Sequence, residues 1–396
     1  MIHVVANTRL PSEKANGSQT MKTAEALAVE MGRLVLWAPA RFPPPEVRGV
    51  RDPFAYHGAR RNFRLRLLPS FDLVTPIARS LPPFLGRLVF YLQGASFSVL
   101  AAAMASVSPG ELWYTRDVYF FLLFAPLASR LGKRVVLEAH HDLPALGGWT
   151  RRVLASCDGL VAITRGLARS LAESGADPRR ILVLPDGVDL APFRGLPSRE
   201  EARRNLGLDP SRPTVVYAGH LYPWKGIDTL VLAAPRVPEA LFLVVGGTPD
   251  DRRRIERAAA REGAENVVLT GHVPPTRVPL HLAAADCLVL PNSGREPISR
   301  LYTSPLKLFE YLAAGRPIVA SDLPSLAEVL AHERTALLVP PDDALALAGG
   351  VRRILSDAPL AGRLAAEGRT LAERFTWERR ACRLARYLKT GETRDE

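Results

Sequence analysis

Lys307 and Glu310 stand one helical turn apart in TSPLKLFEYLAAGRPIVA, residues 303–320. The flanking residues say where that turn lies. Ser304 suits an N-cap, Pro305 the first helical position and Gly315 the left-handed residue past the last turn, which predicts a helix over about 305–314. Leu306, Phe309, Leu312 and Ala313 then share one face. Glu310 sits on the second turn, close to an N-terminus whose free N–H groups and partial positive charge attract phosphate. The polar pair thus suits a phosphorylated ligand. An alternative is that Glu310 only complements the helix dipole while Lys307 is solvated, and the remaining loops must decide.

Three of those loops carry related chemistry. TVVYAGH runs into LYPWKGIDTL, where Gly219 lets backbone approach closely, Lys225 supplies a flexible point charge and Gly226 opens a helix. LFLVVGG ends in Gly246 and Gly247, and NVVLTG is followed by His272, Val273, Pro274 and Pro275, a stiff edge that could border a flat base. Each alone could be a plain turn. Together they come from one half of the chain and would converge on one crevice. The GxGxxG dinucleotide fingerprint is missing, which argues against a dehydrogenase.

The elements that position these loops alternate. IHVVAN, RLVLWA, ELWYTR, RVVLEAH and GLVAIT each neighbour an amphipathic segment; the pattern breaks at ILVLPDGVDLAPF and restarts with TVVYAGH, LFLVVGG, NVVLTGH, CLVLPN, PIVAS and ALLVP. Apolar strands alternating with helices predict an α/β chain with parallel sheets. At 396 residues, two Rossmann-like domains are the simplest reading, over 1–190 and 191–375, with the final segment 376–396 returning as a helix to the first. Ligands of such sheets sit beyond the carboxyl ends of the strands, where the loops above fall.

Composition narrows the partners. The net charge of +12 favours phosphate-bearing or anionic partners, yet only six of the 52 basic residues are lysine and no basic motif is interleaved with aromatics, so nucleic acid is not expected. Cys157, Cys287 and Cys382 show no metal-ligand spacing, which fits a reducing cytoplasmic setting without a zinc or disulfide framework. The amino terminus lacks the zones of a signal peptide. Residues 88–107, LVFYLQGASFSVLAAAMASV, carry no charge over a membrane-spanning length, but Gln93, Gly94 and three serines favour a helix against the sheet. Its outer face could rest on a lipid surface, with Arg60, Arg61, Arg64, Arg66, Arg79 and Arg87 meeting anionic head groups; the alternative is a buried crossover helix with solvated arginines.

The order SEKANGSQTMKTAEALA, LPDGVDLAPF, GHLYPWKG, GHVPP, AADCLVLPN, SPLKLFEYLAAGRPIVASDLPSLAEVL and FTWERRA resembles the GT-B retaining glycosyltransferases of family 4 over essentially the whole chain. The resemblance implies a hexosyltransferase that takes a sugar from a nucleotide-diphosphate sugar in a cleft between the two domains, with no metal and no cofactor beyond that donor substrate. The first domain would take the acceptor and the second the donor. Lys225 would hold the diphosphate, Glu310 the ribose hydroxyls, and the backbone of Ser304, Leu306 and Lys307 a phosphate. Gly219, Gly246, His272 and Val273 would line the donor site, and Gly17 would let a backbone N–H reach the distal phosphate. His140 matches the family histidine near the transferred sugar, with His141 as the alternative.

Two positions depart from the family pattern. His220 stands where arginine usually follows the glycine, and Tyr302 where an acidic residue precedes the ribose glutamate, a role that Glu296 could fill from the longer loop. The implied reaction is front-face transfer with retention, in which the departing phosphate takes the acceptor proton. The acceptor is then a glycan, lipid-linked or small-molecule hydroxyl, as in cell-envelope glycan, glycolipid or polysaccharide synthesis, on the inner face of the membrane or in the cytoplasm. A degenerate nucleotide-sugar-binding relative and a basic nucleic-acid-binding protein are the alternatives.

Overall fold

The computed structural model describes residues 1–74, 81–143 and 148–393, and these form two compact units. The first comprises Met1–Pro185 and Trp377–Glu396, the second Asp186–Thr376. Among the described residues the first unit has seven parallel strands: β1 (Ile2–Val5), β2 (Leu34–Pro39), β3 (Arg64–Leu68), β4 (Leu112–Thr115), β5 (Arg134–Ala139), β6 (Gly159–Ala162) and β7 (Ile181–Val183). The second has six: β8 (Thr214–Ala218), β9 (Leu241–Val245), β10 (Val267–Gly271), β11 (Cys287–Leu290), β12 (Ile318–Ser321) and β13 (Leu337–Val339).

The spatial orders are β3-β2-β1-β4-β5-β6-β7 and β10-β9-β8-β11-β12-β13. Each sheet therefore reverses direction once, between β1 and β4 and between β8 and β11. At such a point the helices after the two strands lie on opposite faces, and a crevice opens at the carboxyl ends. The central strands β1, β8, β9 and β11 are buried at every position, which is why they read as unbroken apolar runs.

Two strands of the first sheet escaped the sequence reading. β7 is three residues long and passes directly into the linker, so it looked like punctuation. β3, RLRLL, is an edge strand with arginines at alternate positions, a pattern that protects an open edge from pairing with another chain.

The charge-free segment lies on a helix, Pro83–Val107, the one described helix long and apolar enough to cross a membrane. One face is committed to the first unit. Gln93 Nε2 donates to Asn7 Oδ1 at 3.1 Å, Ser98 Oγ donates to Asp117 Oδ1 at 2.9 Å, and Phe97, Ala101 and Ala105 are buried. The other face leaves Phe84, Leu88, Phe90, Tyr91, Leu92 and Val99 exposed. Of the arginines read with it, Arg60 pairs with Glu25 at 2.6 Å and Arg61 with Asp52 at 2.8 Å. Arg66 covers the Trp37 ring, Arg64 and Arg87 are exposed, and Arg79 lies outside the described residues.

The last helix, Trp377–Thr390, packs on helix Ala15–Met31 of the first unit through Leu384, Ala385 and Leu388. Tyr387 pins it. Its hydroxyl accepts from Leu160 N–H at 2.9 Å and donates to Arg180 O at 2.5 Å, and a side chain on Gly159 would collide with it. Tyr387→Phe leaves a buried N–H unpaired, so it should lower the denaturant midpoint by an amount worth about 1–3 kcal/mol. An unchanged midpoint would show that the helix is held by its apolar face alone.

Candidate active site

The second unit gathers the chemistry at its strand reversal. Backbone contact sets the geometry. Gly226 has φ +73°, and a Cβ there would lie 1.7 Å from Pro291 O, so the turn Pro223–Lys225 rests directly on the end of β11. Ser293 N–H donates to Trp224 O at 3.0 Å across the same seam. Gly246, with φ +118°, would place a Cβ 2.4 Å from Gly219 O, and Gly219 N–H donates to Val245 O at 2.8 Å. Only glycine at 226 and 246 lets these loops close to contact.

On this base stand two ammonium groups. Lys225 is half-buried, with Nζ 3.7 Å from the centroid of the Trp224 ring, and burial pushes its pKa down to about 7. Lys307 is buried: desolvation first, then the like charge of Lys225, holds its pKa well below the usual lysine value, while Glu310 acts the other way. Its Nζ lies 3.9 Å from the centroid of the Tyr217 ring and has no hydrogen-bond partner. Glu310 is half-buried, and burial raises its carboxyl to about 7 against the pull of Lys307. Among the described residues neither lysine forms an ion pair within 4.0 Å.

The helix that carries Lys307 and Glu310 runs Leu306–Ala314, closed by Gly315 in the left-handed conformation. Its start corrects one expectation: Pro305, not Ser304, is the N-cap residue, and the Ser304 hydroxyl instead accepts from Asp186 N–H at 3.0 Å. The single apolar stripe is a second correction. Leu308 and Tyr311 are buried as well as Phe309, Leu312 and Ala313, so the helix is a core element, and Leu306 and Glu310, one turn apart, are its half-buried positions. Lys307 is buried too, which removes the solvated alternative for it.

Around these groups, His220 stacks on Tyr222 with ring centroids 5.2 Å apart, and Tyr222 on Trp224 at 6.1 Å. Tyr217 Oη donates to His220 O at 2.6 Å. His272 is half-buried just after β10, whereas Val273 packs against the core of the unit. Glu296 is exposed before the short π-helix Ile298–Tyr302. Asn292 was not singled out from the sequence, yet it is wholly buried after β11 with both amide atoms unpartnered. Its only sequence signal is a polar residue directly following an apolar strand.

The first unit holds the two remaining candidates. Gly17 lies in the first turn of helix Ala15–Met31 with its N–H donated to Lys14 O at 3.0 Å, and a Cβ there would crowd Ser12 and His57. His140 directly follows β5, half-buried, 2.7 Å from Glu138 Oε1 through Nε2. His141 is exposed, with Nδ1 2.8 Å from the neighbouring Asp142 O.

Comparison with known proteins follows this geometry. A family model described as "Glycosyltransferase Family 4" matches residues 19–192, and one described as "Glycosyl transferases group 1" matches residues 212–357. The chain is 32% identical over 281 residues to the GDP-mannose-dependent alpha-(1-6)-phosphatidylinositol monomannoside mannosyltransferase of Mycobacterium tuberculosis, covering 67% of this chain and 72% of that one. The chain belongs to the family 4 glycosyltransferases. It is also 35% identical over 242 residues to the D-inositol 3-phosphate glycosyltransferase of Xylanimonas cellulosilytica, covering 58% of this chain and 56% of that protein. In fold it is similar to HepE of Anabaena in complex with UDP, with a TM-score of 0.73, 17% identity and coverage of 98% of this chain and 99% of that one. This glycosyltransferase is thus an α/β protein of GT-B type.

An unpartnered buried ammonium is costly unless an anion meets it. Lys307→Met should therefore stabilise the ligand-free enzyme by about 1 kcal/mol or more while abolishing the gain in melting temperature that a saturating nucleoside diphosphate confers. A variant that is destabilised without ligand, or still stabilised by the nucleotide, would show that Lys307 serves the core instead.

Proposed function

We propose that this glycosyltransferase moves a hexose from a nucleotide-diphosphate sugar to an acceptor hydroxyl with retention of anomeric configuration. The observation that carries the reading is the pair of desolvated ammonium groups, Lys225 and Lys307, set close enough to repel one another beside Glu310. Both groups stay charged together only when an anion of matching charge meets them. A diphosphate is such an anion. The relatives add support: one is named for GDP-mannose, and HepE was solved with UDP.

In the mechanism we infer, Lys225 and Lys307 meet the charge that develops on the leaving diphosphate, and Glu310 accepts from the ribose hydroxyls. The bond between the anomeric carbon and the leaving phosphate oxygen breaks as the acceptor oxygen bonds to that carbon from the same face. The acceptor proton passes to the departing phosphate. Charge placed in advance in a site poor in water carries most of the rate. His220, Gly219 and Gly246 border the diphosphate, His272 and Val273 the base, the backbone of Ser304 and Leu306 a phosphate, and Gly17 and His140 the sugar side. Two ammonium groups supply the charge that a bridging cation would otherwise supply, so excess EDTA should leave turnover unchanged.

The acceptor we propose is lipid-linked or part of an envelope glycan, met at the inner face of an anionic membrane. The exposed apolar face of helix Pro83–Val107 supports this, together with Leu67 and Phe71 beside it on and after β3, exposed Arg64 and Arg87, and Arg66. The named substrate of the mycobacterial relative, a phosphatidylinositol mannoside, is of this kind. The first unit would take this acceptor and the second the donor.

Lys225→Ala and Glu310→Ala should each cost roughly 1.5–3 kcal/mol in transition-state stabilisation, or about one to two decades in kcat/KM, with cooperative melting retained. Near wild-type transfer in either variant would sink the donor assignment.

The pH dependence follows from the two groups near 7. Lys225 binds the diphosphate as a cation, so affinity falls as pH rises above about 7 and binding there takes up a proton. Glu310 accepts best as a carboxylate, so affinity also falls below about 7. Calorimetric titration with UDP or GDP in buffers of differing ionisation enthalpy reads both limbs, and Lys225→Ala should weaken the alkaline one, leaving the part that Lys307 carries.

Vesicle co-sedimentation tests the membrane face. Binding to anionic vesicles should weaken with salt and in the paired Arg64→Glu, Arg66→Glu variant, each charge contributing about 1 kcal/mol. No sedimentation at low salt rules the face out.

A further inference from the structure

The first unit buries one carboxylate for which the reaction above has no use. Glu138 lies on β5, is wholly inaccessible, and interrupts an otherwise apolar strand. Four side chains converge on it. Arg380, from the last helix, and Tyr114, from β4, both donate to Oε2. His140 Nε2 stands 2.7 Å from Oε1, and Arg116 Nε lies 3.5 Å from the same oxygen.

Burial alone would push the Glu138 carboxyl up, but Arg380, His140 and Arg116 outweigh it and hold the carboxyl well below the usual range. The group is therefore an ionised acceptor. A nitrogen 2.7 Å from a carboxylate oxygen carries a proton, which puts the hydrogen of His140 on Nε2 and the lone pair on Nδ1. The Arg116 Nε–H points at that same nitrogen from 3.1 Å, the longer of its two contacts, so the ionised carboxylate at 2.7 Å decides the tautomer; the far end of Arg116 donates to Thr20 Oγ1 at 2.7 Å and to Gln19 Oε1. Desolvation, with the nearby Arg116 charge, pushes His140 down to about 4, so the ring stays neutral. Among the described residues Nδ1 has no partner.

We propose that Glu138 is a positioning residue for transfer: it locks His140 as the Nε2–H tautomer, so that Nδ1 accepts a hydrogen bond from a hydroxyl of the transferred sugar. Arg380 holds that carboxylate in place, which gives the last helix a part in the chemistry although it touches no substrate. A carboxylate that orients a histidine and selects its tautomer is a recurrent device. The proposal rests on the reading of His140 as a sugar-side residue.

The test uses the full chain labelled with ¹⁵N-histidine, in which His140 is assigned among eight histidines by its loss in His140→Ala. Long-range ¹H–¹⁵N spectra at about pH 6 to 8 should show His140 protonated on Nε2 and not on Nδ1. Glu138→Gln should mix or invert the tautomers and lower kcat by about tenfold to a hundredfold, with donor KM nearly unchanged. Because that variant leaves two guanidiniums without a counter-charge, Glu138→Asp and the paired Glu138→Gln, Arg380→Gln accompany it. Glu138→Asp, which keeps the charge, should retain the Nε2–H tautomer and recover part of kcat.

A wild-type spectrum with the proton on Nδ1 overturns the proposal, whatever the variants do. So does a Glu138→Gln enzyme that folds with unchanged tautomer and kcat. Full transfer by His140→Ala would instead overturn the sugar-side reading, and the function assigned to the tautomer with it.

Discussion

Backbone touching backbone at the carboxyl ends of β8, β9 and β11 is the constraint on which the candidate site depends. Gly226 lies against Pro291 O and Gly246 against Gly219 O, with no room for a side chain at either place. The turn after β8 is consequently short and seated, and it places Lys225 beside Trp224. The helix Leu306–Ala314 is buried on almost every side, so Lys307 has nowhere to go but onto the Tyr217 ring. Lys307 is held out of water, as a surface lysine is not. Packing thus builds in its repulsion with Lys225.

The two units treat buried charge in opposite ways. In the second, two ammonium groups stand near one half-buried carboxylate, and the imbalance is left for a ligand to correct. In the first, Glu138 is met by Arg380, Tyr114 and His140 through hydrogen bonds and by Arg116 as an ion pair, so the carboxylate is fully partnered. The contrast is one of partners: the Lys307 ammonium has none, whereas Glu138 has four. Both keep water from reorganising during the reaction, which is the physical content of electrostatic preorganisation.

Helix Pro83–Val107 shows a related division on a larger scale. Its polar residues face inward, Gln93 toward Asn7 and Ser98 toward Asp117, where the sheet supplies partners. Phe97 and Val89 face inward with them, while Phe84, Leu88, Phe90, Tyr91, Leu92 and Val99 face outward, where the described residues leave them uncovered.

By itself the sequence determined the fold class. Strands buried on both faces must be unbroken apolar runs, and glycine is the one residue that tolerates positive φ and backbone contact, so the α/β alternation, the six strands of the second sheet and the glycines of the loops were all legible. The placement of Lys225 in the turn after a strand and of Glu310 on the second turn of a helix was legible too, because both follow from local turn and helix signals. What only the tertiary structure decided depends on residues distant in the chain. β3 was hidden because an edge strand needs polar residues on its open side, and Ser304 lost its capping part because Asp186 N–H competes for its hydroxyl. Lys307 was ambiguous until Tyr217 was seen to cover it, since periodicity cannot tell a solvated lysine from a desolvated one. The network at Glu138 lay furthest from view. Arg116, Glu138, His140 and Arg380 share no motif, and the attraction that joins them falls off with distance in space, which the order of residues along a chain does not record.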